Sequence, residues 1–169
     1  RNIVHSVNWA PIGSLSRDKK LDGFPFVNVV SIADSAEGEP STGKIFFLLT
    51  DLDFTGKDWR HENKVTLLFT SEQIGNCSRI DVDPMEPICA RAIINGKIKE
   101  IQKGDAEYDF GWNAFTSRHP ATANWISRHN FYLCLLEIEH IYALDWYGGA
   151  KEVTVKDYYN VKLETDDTN

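Results

Sequence analysis

The run NFYLCLLEIEHIYALDWY at 130–147 limits the fold more than any other segment. Its apolar residues alternate with polar ones at the period of a strand that buries one face, and Gly148-Gly149 closes it with a turn. KVTLLFT at 64–70 alternates in the same way, Val65, Leu67 and Phe69 against Thr66 and Thr70. Strands are also expected over 6–16 and 24–33, separated by SRDKKLDG with its Asp22-Gly23 turn signal, over IFFLLT at 45–50 and over KEVTV at 151–155. ICARAIINGKIKEI at 88–101 reads as two strand halves around Asn95-Gly96, either a hairpin or one strand bent by a glycine bulge. DSAEGEPSTG at 34–43 is a loop, and DLDFTGKDWRHEN makes a polar helical turn or two. A helix is expected from Gly104-Asp105, where Asp can cap it, through Tyr108, Phe110 and Phe115 to a stop at Pro120, with a second short helix over 121–127. Six or so antiparallel strands with one or two helices inserted late describe an α+β, mainly β, barrel.

At 169 residues the chain is expected to form a single domain over 1–169, mobile only at its last few residues on either end. It opens at Arg1-Asn2 with no charged-then-apolar leader, as expected of a processed chain. The composition, 42% hydrophobic and 25% charged, excludes a disordered, collagen-like or coiled-coil chain. The 18 Lys and Arg against 25 Asp and Glu give a net charge of -7, which disfavours direct nucleic-acid binding because a phosphate backbone is held by excess cations. No apolar run is long enough to cross a membrane as a helix.

Cys77 and Cys89 flank a polar loop, and Cys134 sits in the apolar FYLCLLEI as a small buried hydrophobe. The first two either pair, in an oxidising compartment, or remain free thiols. No CxxC and no close His pair supports a metal site. Asn76-Cys77-Ser78 is a glycosylation sequon, and beside a candidate disulfide it tilts the reading toward the secretory pathway.

The blocks RHPATANWISRHN at 118–130, LDWYGGAKEVTVKDYYNV at 144–161 and PFVNVVSIAD at 25–34, with the Cys77 to Cys89 loop and its Asp83-Pro84, resemble the CREG family, the cellular repressors of adenoviral early-gene-stimulated transcription. The resemblance runs from about Val7-Asn8-Trp9 to Val161. It implies a six-stranded antiparallel split barrel of the FMN-binding, pyridoxamine 5'-phosphate oxidase type that forms a homodimer. It further implies a secreted and endolysosomal glycoprotein, sorted through a mannose-6-phosphate receptor or another glycoprotein-sorting receptor and active in growth and differentiation control. A Cys77–Cys89 disulfide with Cys134 free, and a glycan on Asn76, follow from that placement. The sequon that relatives tend to carry near the C-terminal YYN is absent, since Asn160 is followed by Val161-Lys162.

By order along the chain, the phosphate shell of an FMN-binding barrel corresponds to Thr50, Lys57, Lys64 and Thr66, with Arg60 as the nearby Arg. The alternative is that these are ordinary strand hydroxyls and solvated lysines. Flexible Lys in place of a planar Arg fork, together with the negative charge, predicts weak or absent FMN binding. The Gly75 to Pro87 loop, pinned by its disulfide, is expected to fold over the cofactor groove, and no catalytic residue is assigned. His119 and His129 are expected to hydrogen-bond backbone carbonyls, and Trp9, Trp59, Trp112, Trp125 and Trp146 to serve the core and the dimer interface. Two function classes result: a non-enzymatic glycoprotein acting through protein partners, or an FMN-dependent oxidoreductase.

Overall fold

Period-two strands close on themselves here because one short strand finds partners on both edges. The structure is a computed structural model describing residues 1–163, the side chains of Ile126 and Ser127 excepted. In chain order its elements are α1 (Asn2–Ser6), β1 (Trp9–Leu15), β2 (Pro25–Ala33), β3 (Phe46–Leu49), α2 (Phe54–Asp58), β4 (Lys64–Thr70), β5 (Arg91–Ile101), α3 (Tyr108–Arg118), α4 (Trp125–His129), β6 (Tyr132–Leu144), β7 (Lys151–Val153) and α5 (Val155–Asn160). The strands run β3-β2-β1-β4-β5-β6, and β3 also pairs with β6, so six antiparallel strands make a closed barrel; β7 extends the sheet beyond β6.

Inside the barrel lie Ala10, Ile12, Ile32, Phe47, Leu67, Phe69, Ile94, Leu136 and Ile141, the alternate residues of their strands. β3 does not alternate, since all four of its residues are buried. Phe47 and Leu49 enter the barrel, whereas Phe46 and Leu48 join Leu133, Leu135 and the Ala114 and Phe115 of α3 in a second cluster outside it. A continuous apolar run is what a strand covered on both faces requires. The helix approaches closely at Gly111, where a Cβ would stand 2.6 Å from the Phe46 ring.

Between the two readings of 88–101, the structure selects the bulge. β5 is one strand whose register against β6 shifts between Asn95 and Gly96, and a Cβ on Gly96 would meet the Glu137 carbonyl oxygen at 2.3 Å. β5 starts at Arg91 and β6 runs Tyr132–Leu144, both shorter than expected, and three further boundaries differ for local reasons. Residues ahead of β1 form α1, which buries Val4, so the strand begins at Trp9 and not at 6. The strand expected over KEVTV stops at Val153 because the Thr154 hydroxyl accepts from the Asp157 N–H and caps α5, a local bond that overrides the β-branched composition. Asp105 caps nothing; its carboxylate accepts from the Gln102 N–H in a turn, and α3 starts at Tyr108. The second helix is a 3-10 turn over Pro120–Asn124 running into α4. Among the described residues no helix is long and apolar enough to cross a membrane.

Candidate functional site

Strand register brings Val27, Gly13, Thr66, Asn95 and His140 into one row across the outer face of β2, β1, β4, β5 and β6. Gly13 carries no side chain, and the row from Gly13 to His140 becomes the floor of a groove of about 660 Å³ bordered by Leu15, Pro25, Lys64 and Glu139. Its polar groups are partly engaged with each other: Asn95 Nδ2 donates to Thr66 Oγ1 at 2.7 Å, and Glu139 pairs with Lys97 at 2.6 Å. The neighbouring rows are apolar. Val29 faces out beside Pro11, Leu68 lies opposite Ile93, and Ile93 lies opposite Tyr142; Trp9, Leu15, Val27, Val29, Ile93 and Tyr142 are all exposed.

A second recess opens where the barrel splits. β2 and β3 pair only at Ile32–Phe47 and Ala33–Phe46. Beyond those pairs a space of about 280 Å³ lies between Val29–Ser31 and Leu48–Thr50, backed by Phe115 and rimmed by Trp125, Phe131 and Asp53. Asp53 is placed there by its role as the N-cap of α2: Oδ1 accepts from the Phe54 N–H at 2.7 Å, and Oδ2 accepts from Asn28 Nδ2 at 2.7 Å. The Asp-Phe-Thr sequence at 53–55 carries the cap signal, which sequence reasoning read only as a polar turn.

The four residues assigned to a phosphate shell fall in three places. Lys64 and Thr66 line the outer groove; Thr50 lines the split recess, where its hydroxyl donates to the His129 carbonyl at 2.8 Å; Lys57 is exposed on α2 and lines neither. Arg60 is held between the Trp59 and Tyr132 rings, 4.8 Å from each, and pairs with Asp51 and Glu100. A flavin phosphate needs several convergent charge-assisted donors. Within one chain these residues do not supply them, so they do not fit that group.

The Gly75 to Pro87 loop is closed by the Cys77–Cys89 disulfide, with Cα atoms 5.6 Å apart, and Cys134 is free and buried. Burial pushes the Cys134 thiol well above its ordinary value, so it is a poor nucleophile. Asn76 is exposed. The loop was expected over a cofactor groove; it lies instead beside the start of β5, where Arg91 donates to the Pro84 and Met85 carbonyls, and it lines neither recess. Its own backbone turns and Arg91 hold it away.

His119 Nε2 lies 2.9 Å from the Ile32 carbonyl, whereas the His129 side chain is exposed. Trp59 Nε1 donates to the Tyr132 hydroxyl, Trp112 stacks on Tyr108, and Trp125 lies against Phe131; Trp9 and Trp146 are exposed. Burial, and then the bond to Asp51, raises the Tyr132 hydroxyl far above its ordinary range, so it stays a donor to Asp51. Sequence reasoning missed a second polar centre altogether. Asp34, fully buried, takes Ser41 from its own loop and His5 and Arg118 from segments distant in sequence.

A family model described as CREG, beta-barrel, matches residues 1–160. Protein CREG1 of Gallus gallus is 33% identical over 163 residues, 96% of this chain and 84% of the relative. Protein CREG1 of Mus musculus is 31% identical over 164 residues, 97% of this chain and 73% of the relative. Among solved structures, the heme binding protein from Mycobacterium smegmatis superimposes with a TM-score of 0.69 at 15% identity, over 93% of this chain and 57% of that one, a likeness of fold.

Proposed function

The chain belongs to the CREG β-barrel family, and from that premise we propose that it is a secreted and endolysosomal glycoprotein that works as a homodimeric binding module through protein partners. The observation that carries this reading is the outer face. Trp9, Leu15, Val27, Val29, Ile93 and Tyr142 are large apolar side chains exposed together on one side of five strands. Contiguous exposed apolar surface of this kind marks an interface. The occupant is a second copy, because the same apolar patch on two copies can meet itself across a two-fold axis, and stable dimer interfaces bury on the order of 2,000 Å² or more in total.

Sorting is assigned to the glycan on exposed Asn76, recognised by a mannose-6-phosphate receptor or a similar lectin-type receptor. The separation of Thr50 from Lys64 and Thr66, and the engagement of Arg60, weigh against the flavin oxidoreductase alternative. Light scattering of the glycosylated protein is expected to give twice the chain mass plus glycan. An FMN titration is expected to give no saturable signal at micromolar flavin. A monomer would remove the first part of the proposal, and an FMN dissociation constant below about 1 μM would replace the second with the enzyme.

A further inference from the structure

A flavin phosphate is an anion, yet the split recess has the opposite electrostatics. We propose that the recess between β2 and β3 binds a small aromatic ligand bearing a single ammonium group, with Asp53 as its counter-ion.

Three observations converge on that ligand class. The first is the charge of the lining. Among the described residues Asp53 is the one ionisable group that lines the recess, and none of their ion pairs includes it. Its carboxylate accepts from two neutral donors, the Phe54 N–H and Asn28 Nδ2. A carboxylate offers about four acceptor sites, so the Asp53 group has capacity left for a cation at the mouth.

The second is the wall. Phe115, only 1% exposed, forms the back, and Trp125 and Phe131, with ring centroids 5.0 Å apart, form a rim whose Trp is 37% exposed. Aromatic faces favour a flat apolar ring and add cation–π attraction for an ammonium beside it. The third is size. A space of about 280 Å³ suits an indole or phenyl group with a two-carbon amine arm and lies at the small end of ligand cavities, roughly 300 Å³ and upward.

The same geometry acts against anions. A phosphate or carboxylate placed in this recess would face Asp53 with no Lys or Arg among the described lining residues to offset it. The recess shares no lining residue with the outer groove, and it meets the apolar outer face only at Val29, so ligand titration and oligomeric state test the two readings by different measurements.

The test uses three probes with one ring and different charge: tryptamine, 3-methylindole and indole-3-propionate. Each is titrated into the intact isotope-labelled glycoprotein at low salt while the indole N–H signals are followed. Tryptamine is expected to shift the Trp125 signal saturably and to bind about ten-fold tighter than indole-3-propionate, the factor of one charge-assisted contact at a half-open site. Asp53→Asn keeps an oxygen for the Phe54 N–H and is expected to bring tryptamine down to the affinity of 3-methylindole, which itself stays unchanged. If that variant does not fold, the charge series on the wild-type protein decides alone. Equal or tighter binding of the anion, or no saturable Trp125 shift with millimolar tryptamine, overturns the proposal.

Discussion

Arg118 Nη2 stands 3.1 Å from Asp34 Oδ1, with the two side chains 5% and 0% exposed, and joins the last turn of α3 to the end of β2. His5 Nδ1 lies 2.8 Å from the same oxygen, the Ser41 hydroxyl donates to the other, and Arg118 also donates to the His5 and Ser35 carbonyls. One ion pair thereby ties together α1, the β2–β3 loop and α3. Arg118→Met would leave a buried carboxylate without its guanidinium, and that typically costs about 3–5 kcal/mol. Urea denaturation should show a loss of that order; a loss under about 1 kcal/mol would mean that His5 and the hydroxyls suffice.

The second prediction concerns acid. Burial acts to raise the Asp51 carboxyl, but hydrogen bonds from the Tyr132 hydroxyl and the Arg60 guanidinium outweigh it and hold the group below the usual 3.8. A carboxyl depressed in the folded state stabilises above its unfolded value, and the contribution fades as pH falls through the folded one. Asp51 should therefore cost no stability between neutrality and about pH 5, and its loss should begin only below 3.8. Carboxyl carbon shifts should place its midpoint under 3.8, and Tyr132→Phe should move the midpoint up.

The third concerns the loop staple. Cys77 and Cys89 are 12 residues apart, and a loop of that length is worth about 3 kcal/mol in the chain-entropy account. Cys77→Ala/Cys89→Ala is expected to lower stability by that order without changing the barrel's far-ultraviolet circular dichroism. Peptide mapping without reductant should recover the Cys77–Cys89 pair and an alkylatable Cys134 after unfolding.

The fourth sets helix propensity against packing. Gly111→Ala gains up to about 1 kcal/mol of propensity in α3, whereas a Cβ there would meet Phe46 at 2.6 Å and overpacking costs about 1–3 kcal/mol. Packing wins because Phe46 is fully buried and has no room to move. The variant should melt lower, and Phe46→Leu added to it should recover part of the loss.

The fifth tests the outer face. Ile93→Glu places a charge among the exposed apolar residues of the sheet and touches none of the buried core. It should convert the proposed dimer to a folded monomer by light scattering while the melting curve of the monomer remains cooperative. An unchanged dimer would move the interface elsewhere on the chain.

Much of the barrel is legible in the chain because strand periodicity is local: Val65, Leu67 and Phe69 announce an inward face within seven residues of β4. The first half of β6 is masked, because Cys134 and Leu136 face the barrel interior while Leu133 and Leu135 are buried on the other face. Local turn and cap chemistry is equally readable where a side chain bonds its own neighbours, as Asp53 and Thr154 do, although composition can mask it, as the β-branched KEVTV did. The pairing of β3 with β6 is a different matter. Phe46 meets Leu135 and Leu49 meets Tyr132 across about half the chain, and no local pattern encodes which free edge another will find. That closure also decided the site. It set Thr50 in the split recess, left Lys64 and Thr66 on the outer face, and gathered His5, Asp34 and Arg118 at one buried point. Order along a chain fixes neighbours only where the contacts are short in sequence; these are contacts between distant segments, and only the packed barrel brings them together or holds them apart.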